Sequence, residues 1–285
     1  MRNLPDYLIK PVPKQKNINL IRLLLADDSV HSVCESAKCP NIGECFNQKT
    51  LTFMILGNNC TRSCAFCGVD KNKPVEVDPD EPEKVFRAVL ALGLSYVVIT
   101  SVTRDDLPDG GAEQFVKVIK NVKLKIKNIE VLIPDFNGNE QAINMVIEAQ
   151  PDVINHNVET VKRLYNVIRP QADYFRSLRL LAEVKRKNEM ILTKSGFMLG
   201  LGETDEEVYE LLYDFKVSDC DIVTIGQYLP PSKTHPQVEK YYPPEEFSKF
   251  KEFGELIGIR HVEAGPFVRS SYRAEEIYFR LKTEH

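Results

Sequence analysis

The sequence has no tryptophan, no long apolar run and no marked excess of charge of either sign. Its 37 Lys and Arg residues nearly balance its 41 Asp and Glu residues, which gives a net charge of -4. This balance provides no basic surface of the kind that binds nucleic acid or an anionic membrane. We see no transmembrane span and no signal peptide. We therefore expect a soluble cytoplasmic protein that has neither a nucleic acid nor a membrane partner.

Cysteine, by contrast, is abundant and concentrated. Six of the seven cysteines form two triplets, Cys34, Cys39 and Cys45 in a C-x4-C-x5-C pattern and Cys60, Cys64 and Cys67 in a C-x3-C-x2-C pattern. In a chain without secretion signals, such clusters indicate metal binding in a reducing compartment rather than disulfides. A four-coordinate site with three local ligands takes its fourth from elsewhere in the chain or from a small molecule.

The apolar pattern beyond residue 50 predicts an α/β fold. Amphipathic helical stretches alternate with six apolar runs typical of buried strands. The six runs span residues 51–56, 96–102, 129–136, 152–159, 192–200 and 222–229. Strand and helix alternating six times require parallel strands with right-handed crossovers, arranged either as a doubly wound sheet or as a barrel-like arc. Residues 1–50 and 260–285 are expected to be extensions of this core, which spans residues 51–259.

The second triplet begins four residues after the first predicted strand. In a parallel βα array the loops that follow the strands build the active site, so this position places a metal site at the functional rim. Three thiolates can hold three irons of a 4Fe-4S cluster and leave the fourth iron open. A zinc knuckle would favour paired C-x2-C half-sites, and a ferredoxin-type cluster would need a nearby fourth cysteine.

Both triplets resemble known motifs. The C-x3-C-x2-C spacing, with Phe66 before the last cysteine, resembles the radical S-adenosylmethionine superfamily. The run CESAKCPNIGEC (34–45) resembles the auxiliary-cluster motif of the lipoyl synthase family, although Phe46 stands where that family usually has tryptophan. The resemblance extends over nearly the whole chain. Further similar segments are TSVTRDDLPDGG (100–111), NHNVET (155–160), RPQADY (169–174), SGFMLGLGE (195–203), TIGQYLPPS (224–232) and GPFVRSSYRAEE (265–276).

The resemblance implies a fold and a reaction. The fold would be a partial (β/α)6 TIM-type barrel with N- and C-terminal extensions. The cofactors would be two 4Fe-4S clusters and S-adenosylmethionine, whose reductive cleavage gives 5′-deoxyadenosyl radicals. Two such radicals would activate C6 and C8 of an octanoyl group, and the auxiliary cluster would donate a sulfur atom to each carbon.

The resemblance also implies partners and ligands. The substrate would be an octanoyl-lysine on a lipoyl-carrier domain or on the glycine-cleavage H protein, and a ferredoxin- or flavodoxin-type protein would donate electrons. Cys60, Cys64 and Cys67 would bind the radical cluster. Cys34, Cys39, Cys45 and the second serine of the RSSY segment, Ser271, would bind the auxiliary cluster. Taken without the resemblance, RSSY would be read as a helix cap.

Polar residues at the predicted strand ends are candidates for binding S-adenosylmethionine. They share an expected position at the functional rim of the sheet, although loop capping would explain each of them equally well. The candidates are Thr100, Ser101, Asn155, Asn157, Glu159, Lys194 and Ser195. Three other functions stay open: a different radical enzyme such as a biotin synthase, which lacks the first triplet motif and RSSY, an electron-transfer iron–sulfur protein, and a zinc-dependent binding module.

Overall fold

The computed structural model describes residues 4–10, 15–27 and 29–283 and contains one eight-stranded sheet. Its strands follow one another in chain order, and each neighbouring pair from the second strand to the eighth is parallel. The strands are β1 (His31–Ser32), β2 (Thr52–Ile55), β3 (Tyr96–Ser101), β4 (Asn128–Leu132), β5 (Val153–Asn155), β6 (Leu192–Leu199), β7 (Ile222–Gln227) and β8 (His261–Gly265).

This strand order separates the two folds that periodicity left open. A doubly wound sheet reverses its strand order at a switch point, whereas here the order runs from β1 to β8 without reversal. The arrangement is therefore a partial barrel. All six predicted strands are present. Two of them end earlier than expected, at Leu132 and Asn155, because Pro134 cannot donate to a ladder and because a loop follows Asn155.

The periodicity left two strands unpredicted. β8 pairs in parallel with β7, so the sheet continues into the segment that was expected to be a C-terminal extension from residue 260. β1 contains only two residues and pairs antiparallel with β2. β1 is too short to show alternation, and β8 (HVEAG), which contains His261 and Glu263, forms no continuous apolar run. The N-terminal extension thereby joins the edge of the barrel.

Helices cover the outside of the sheet, and several begin with strong local signals. Thr204 and Glu207 form a reciprocal capping box, and Pro82 and Pro244 lie in first turns, where proline's missing N–H costs nothing. The helices are α1 (Gln15–Asp27), α2 (Val33–Ser36), α3 (Ile42–Asn47), α4 (Glu81–Leu92), α5 (Ala112–Lys123), α6 (Glu140–Glu148), α7 (Tyr165–Ile168), α8 (Tyr174–Lys187), α9 (Asp205–Val217), α10 (Pro244–Leu256) and α11 (Ala274–Thr283). Within the described ranges, no helix is long and apolar enough to cross a bilayer.

Two apolar cores and the C-terminal helix α11 stabilise the barrel. One core lies between β2–β5 and helices α4–α6, and the other between β6–β8 and helices α8–α10. Helix α11 packs Tyr278 against Tyr96 and Val153, the first residues of β3 and β5. The helix therefore closes the end of the barrel at which the strands begin. The opposite end, at which the strands finish, carries the site.

Candidate active site

A cavity of about 570 Å³ lies at the carboxyl ends of the strands. Both cysteine triplets line it, together with the C-terminal loop (residues 266–273) that joins β8 to α11. The cavity wall includes Cys34, Cys39, Cys45, Cys60, Cys64, Cys67 and Ser271. Segments more than 200 residues apart in the chain thus meet around one space.

The second triplet lies on the loop between β2 and α4, which is tied down at several points. Cys60 N–H donates to Asp70 O (2.8 Å), and Ala65 N–H donates to Ile168 O (2.9 Å). The buried side chain of Arg62 forms ion pairs with Asp105 and Asp135, each at 2.7 Å. A loop without regular structure thereby acquires a fixed shape, as a rigid metal site requires.

The first triplet is carried by two short helices. Cys34 lies in the first turn of α2, where its N–H donates to the Ser32 hydroxyl (3.1 Å). Cys39 N–H donates to Cys34 O (2.9 Å), which curls the chain back toward α2. Cys45 lies in α3, and its carbonyl accepts a hydrogen bond from Thr50 N–H (2.8 Å). The intervening turn brings three cysteines with wide spacing to the same wall.

The electrostatics of both triplets suit a metal cluster. Burial raises the pKa of Cys45 to about 12, and Cys34 and Cys39 add to the shift. The pKa of Cys67 is raised to about 11, again mainly by burial and further by Cys64 and Cys60. Ionisation of Cys45 and of Cys67 is thus disfavoured both by burial and by other thiols of the same triplet. Bound iron would supply the positive charge that ionises them and would release their protons.

The thiols are arranged as two triplets on the wall of one cavity. Among the described residues, no group of three His, Cys, Asp or Glu side chains converges in a way that suits one metal ion. None of the seven cysteines, all of which lie in the described ranges, forms a disulfide. Each triplet is thus a set of three free thiols.

The strand-end candidates divide into two groups. Thr100, Ser101, Asn157 and Glu159 line the cavity. The Ser101 hydroxyl is buried and has no hydrogen-bond partner in the protein, so it is available to a ligand. Burial raises the pKa of Glu159, and the charge of Arg169 opposes this shift. A cationic ligand near Glu159 would likewise favour its ionised form.

Asn155, Lys194 and Ser195 do not line this cavity. Lys194 Nζ forms a buried ion pair with Glu130 (2.9 Å), and the Asn155 amide donates to the same carboxylate (3.2 Å). The Ser195 hydroxyl donates to His156 O (2.8 Å). These partners account for Lys194, Ser195 and the amide nitrogen of Asn155, whereas Asn155 Oδ1 is buried without a partner. Because none of the three side chains lines the cavity, we do not carry them into the proposed site.

Sequence reasoning did not single out Arg169, a buried residue in the cavity wall. Its Nη1 donates to Asn157 O (2.8 Å) and to the Tyr165 hydroxyl (2.7 Å), and its guanidinium also interacts with Cys64. Its Nε has no partner. The RPQADY segment contained this residue, and a buried arginine with an unused donor beside a thiol is a functional signal that only the fold reveals.

A directed hydrogen-bond chain fixes this arginine. His156 Nδ1 lies 2.8 Å from Ile133 O. Because a carbonyl can only accept, His156 Nδ1 carries the proton and Nε2 of the neutral ring accepts from the Ser177 hydroxyl (3.0 Å). Ser177 Oγ then accepts from the Tyr165 hydroxyl (2.8 Å), whose oxygen accepts from Arg169. Burial lowers the pKa of His156 to about 4, with a further contribution from the charge of Arg169. The imidazole is therefore neutral at physiological pH.

Arg269 also lay within a recognised segment without being assigned a role. It is half-buried in the C-terminal loop, and its Nη1 donates to Val268 O (2.6 Å). Its charge interacts with both Cys39 and Glu159. The guanidinium thus lies between the two halves of the cavity, and it places a fixed positive charge beside each of them.

Comparisons with known proteins agree with this geometry. Residues 54–214 match the sequence profile of the Radical SAM superfamily. A lipoyl synthase from Caldanaerobacter subterraneus subsp. tengcongensis is 55% identical over 91% of this chain and 92% of its own length. A lipoyl synthase from Aquifex aeolicus is 51% identical over 94% of this chain and 98% of its own length.

Solved structures match at the level of the fold. Streptococcus suis SuiB bound to S-adenosylmethionine superposes with a TM-score of 0.57 at 11% identity; the match covers 83% of this chain and about half (51%) of SuiB. The FeFe-hydrogenase maturase HydG from Carboxydothermus hydrogenoformans gives a TM-score of 0.55 at 12% identity over 94% of this chain and 78% of HydG. These structural matches show the fold alone. The superfamily profile and the sequence relatives show that the chain belongs to the lipoyl synthase family of the radical S-adenosylmethionine superfamily.

Proposed function

We propose that this chain inserts two sulfur atoms, at C6 and C8, into an octanoyl group attached to a lysine of a lipoyl-carrier protein. One observation supports this function above all others: both thiol triplets and Ser271 line a single cavity. A sulfur donor and a radical source must face the same C–H groups, since reacting atoms have to lie within about 3 to 3.5 Å of each other.

Cys60, Cys64 and Cys67 would hold three irons of a 4Fe-4S cluster and leave the fourth to S-adenosylmethionine. Thr100, Ser101, Asn157 and Glu159 lie where they would contact that ligand. The carboxylate of Glu159 is suited to a cationic or hydroxyl group of the ligand. The Nε–H of Arg169, which has no partner in the protein, is suited to donate to a carboxylate of the ligand. When bound, this cluster supplies the electron that cleaves S-adenosylmethionine.

Cys34, Cys39, Cys45 and Ser271 would hold the second 4Fe-4S cluster, from which the sulfur is taken. Serine oxygen is a harder and weaker partner for iron than thiolate. One weakly held corner suits a cluster that is dismantled during the reaction. Arg269, whose charge interacts with Cys39, would stabilise the negative charge of this cluster.

Apolar side chains would hold the octanoyl chain between the two clusters. Leu132, Ile133, Phe197, Met198, Leu229 and Val268 contribute to the cavity wall. Apolar walls exclude water, which protects a reactive radical and raises the cost of misplacing the substrate.

The proposed reaction also requires a carrier protein, an electron donor and a reducing compartment. The carrier would be a lipoyl domain or the glycine-cleavage H protein, and a ferredoxin- or flavodoxin-type protein would deliver electrons. Seven unpaired thiols require a reducing compartment, which favours the cytoplasm. These assignments rest on the chemistry of the substrate and on the need for single electrons.

A single-turnover assay tests the function. The reconstituted protein is incubated anaerobically with S-adenosylmethionine, dithionite and an octanoyl-lysine peptide, and the peptide mass and 5′-deoxyadenosine are measured. We expect two sulfur atoms per peptide together with 5′-deoxyadenosine. Formation of 5′-deoxyadenosine without thiolated peptide would point to a different radical enzyme. The absence of both products would favour an electron-transfer protein.

The matched variant is Ser271→Ala. We expect it to keep cleaving S-adenosylmethionine while sulfur transfer falls by at least about tenfold, since only the auxiliary site loses a ligand. The radical site keeps Cys60, Cys64 and Cys67. Loss of S-adenosylmethionine cleavage in this variant would contradict the proposed division of roles between the triplets.

A further inference from the structure

The C-terminal loop that carries Ser271 is fastened to two separate parts of the molecule. One set of contacts reaches the barrel, and the other reaches the N-terminal segment that carries the first triplet. Ser271 itself lies between the two sets. Its neighbours Ser270 and Tyr272 each make one of the contacts.

On the barrel side, Ser270 and Val268 hold the loop against the strand ends. The Ser270 hydroxyl faces the amide of Asn157 at 2.8 Å from Oδ1 and 2.5 Å from Nδ2, so the pair is joined whichever atom donates. Val268 passes directly over Gly226 in β7. A Cβ atom added to Gly226 would lie 2.2 Å from Val268 O, so only glycine allows this close approach.

On the other side, Tyr272 and Phe267 bind the segment of the first triplet. The Tyr272 hydroxyl donates to Glu44 Oε1 (3.1 Å), and Glu44 precedes Cys45 in α3. The Asn41 amide donates to Phe267 O (2.6 Å). Lys10 joins these two contacts, since its Nζ donates to Asn41 Oδ1 (2.6 Å) and to Glu44 Oε2 (2.9 Å).

These contacts restrain the residue whose bond to iron is the weakest. A serine oxygen binds iron more weakly than a thiolate does. Its affinity for a cluster therefore depends on the conformational entropy that the loop loses when the serine binds, and a loop that is already restrained loses less. Fixing the residue before the serine and the residue after it removes most of that entropy in advance. The adjacent position of Glu44 and Cys45 also ties the serine to the same helix that supplies a thiol ligand.

We propose that Ser270, through Asn157, and Tyr272, through Glu44, are positioning residues that hold Ser271 at the auxiliary cluster. The proposal rests on the proposed function only in taking Ser271 as the fourth ligand of that cluster. Neither Ser270 nor Tyr272 is assigned a bond to iron. Their effect is therefore on how firmly the fourth corner of the cluster is held.

The test uses the full-length chain with Cys60, Cys64 and Cys67 replaced by alanine, so that only the auxiliary cluster is reconstituted. The rate at which EDTA withdraws the first iron is followed under anaerobic conditions. The iron leaves as Fe²⁺ without electron transfer, so the product is a reduced three-iron cluster, which parallel-mode electron paramagnetic resonance detects. We expect Ser270→Ala and Tyr272→Phe each to lose iron about five times faster than the chain without that substitution. This factor corresponds to the loss of one hydrogen bond of about 1 kcal/mol. Ser270→Thr keeps the hydroxyl and is expected to restore the slow rate.

Two control variants separate positioning from general destabilisation. Tyr278→Phe removes a similar tyrosine-to-carboxylate hydrogen bond, to Asp152 (2.8 Å), at the opposite end of the barrel. It is expected to lower the thermal unfolding midpoint without changing the rate of iron loss. Lys10→Met is expected to change that rate by less than Tyr272→Phe, because the partly exposed Lys10–Glu44 pair contributes little.

The outcomes distinguish this proposal from the proposed function. If Ser271→Ala speeds iron loss but Ser270→Ala and Tyr272→Phe do not, Ser271 remains the ligand and the positioning roles are wrong. If Ser271→Ala leaves the rate unchanged, Ser271 is not a ligand and both assignments fall. A thiolation assay on the intact wild-type protein reports on the overall reaction independently of either result.

Discussion

At the scale of single residues, the buried side chain of His156 makes the free energy of unfolding depend on pH. It is buried as the neutral tautomer between Ile133 and Ser177. Its pKa is about 4 in the folded chain against 6.5 for the free side chain. The unfolded chain therefore binds a proton that the folded chain does not, over the whole window from about pH 6.5 down to about pH 4. Stability must fall as the pH decreases through this window.

We expect this histidine to remove about 1 kcal/mol of unfolding free energy between pH 7.5 and pH 5.5. Denaturant unfolding of the anaerobic protein at the two pH values measures the loss. Comparison with His156→Gln isolates this group, because the variant keeps every other titrating residue and should show a loss smaller by that amount. An equal loss in both proteins would mean that His156 is not buried in its neutral form.

Lys194 provides a second prediction at the residue scale. It lies beneath the cavity in a fully buried ion pair with Glu130, which also accepts a hydrogen bond from Tyr96 (2.8 Å). Lys194→Met should destabilise the protein by about 3 to 5 kcal/mol, because it leaves a buried carboxylate without its partner. The double variant Lys194→Met, Glu130→Leu should recover most of that loss, since neither charge then remains.

Equilibrium binding of S-adenosylmethionine tests whether Lys194 is a structural partner of Glu130 or a residue that binds the cofactor. The structure gives this side chain a partner inside the barrel, so the double variant should bind S-adenosylmethionine with unchanged affinity. A large loss of affinity in a stable double variant would return Lys194 to the cofactor site, where strand position alone had placed it.

At the scale of elements, the contact between β7 and the C-terminal loop sets the position of the loop that carries Ser271. Gly226→Ala would push a methyl group into Val268 O, and the loop would have to move. Displacements of this size cost on the order of 100-fold when reacting atoms must meet. We therefore expect sulfur insertion to fall steeply in Gly226→Ala while S-adenosylmethionine cleavage continues.

The neighbouring strand offers a matched control. Gly265 in β8 pairs directly with Gly226, and a Cβ added there would lie 3.5 Å from Val268 Cγ2, an ordinary contact. Gly265→Ala should keep both activities. Equal loss in the two variants would show that the strands themselves, rather than the approach of the loop, are sensitive to substitution.

Much of the elements' arrangement was predictable, for identifiable reasons. The six central strands, of three to eight residues, overlap the short apolar runs of the sequence, and helices such as Asp205–Val217 begin with proline or capping signals that act locally. The two-residue edge strand His31–Ser32 is too short to show a periodic pattern, and His261–Gly265 (HVEAG) lacks the continuous apolar run that marks a buried strand. The ends of β4 and β5 were placed too late because Pro134 ends one run and a loop follows Asn155.

The candidate site was predictable to a different degree. The cysteines were evident because thiols at fixed spacing have few other uses, and all six reach one cavity. Among the strand-end residues, position along the chain could not tell an outward side chain from one that is buried below the rim. Thr100 and Glu159 therefore reach the cavity, whereas Lys194 lies inside the barrel with Glu130.

At the scale of the whole molecule, the fold brings the two halves of one reaction into a shared space. The N-terminal segment supplies three thiols, the loop after β2 supplies three more, and the C-terminal loop supplies Ser271. Helix α11 closes the far end of the barrel, so the cavity has its opening at the end where the strands finish. Two clusters of this kind would give about eight irons per chain.

The central claim is that the sulfur comes from the cluster held by Cys34, Cys39, Cys45 and Ser271. The most direct measurement reconstitutes the protein with sulfide enriched in a heavy sulfur isotope, removes free sulfide, and allows one turnover on an octanoyl-lysine peptide. Mass spectrometry of the product should show heavy isotope in both inserted sulfur atoms, with no more than one modified peptide per chain. Sulfur of natural isotopic composition in the product, or repeated turnover without added sulfide, would contradict the account.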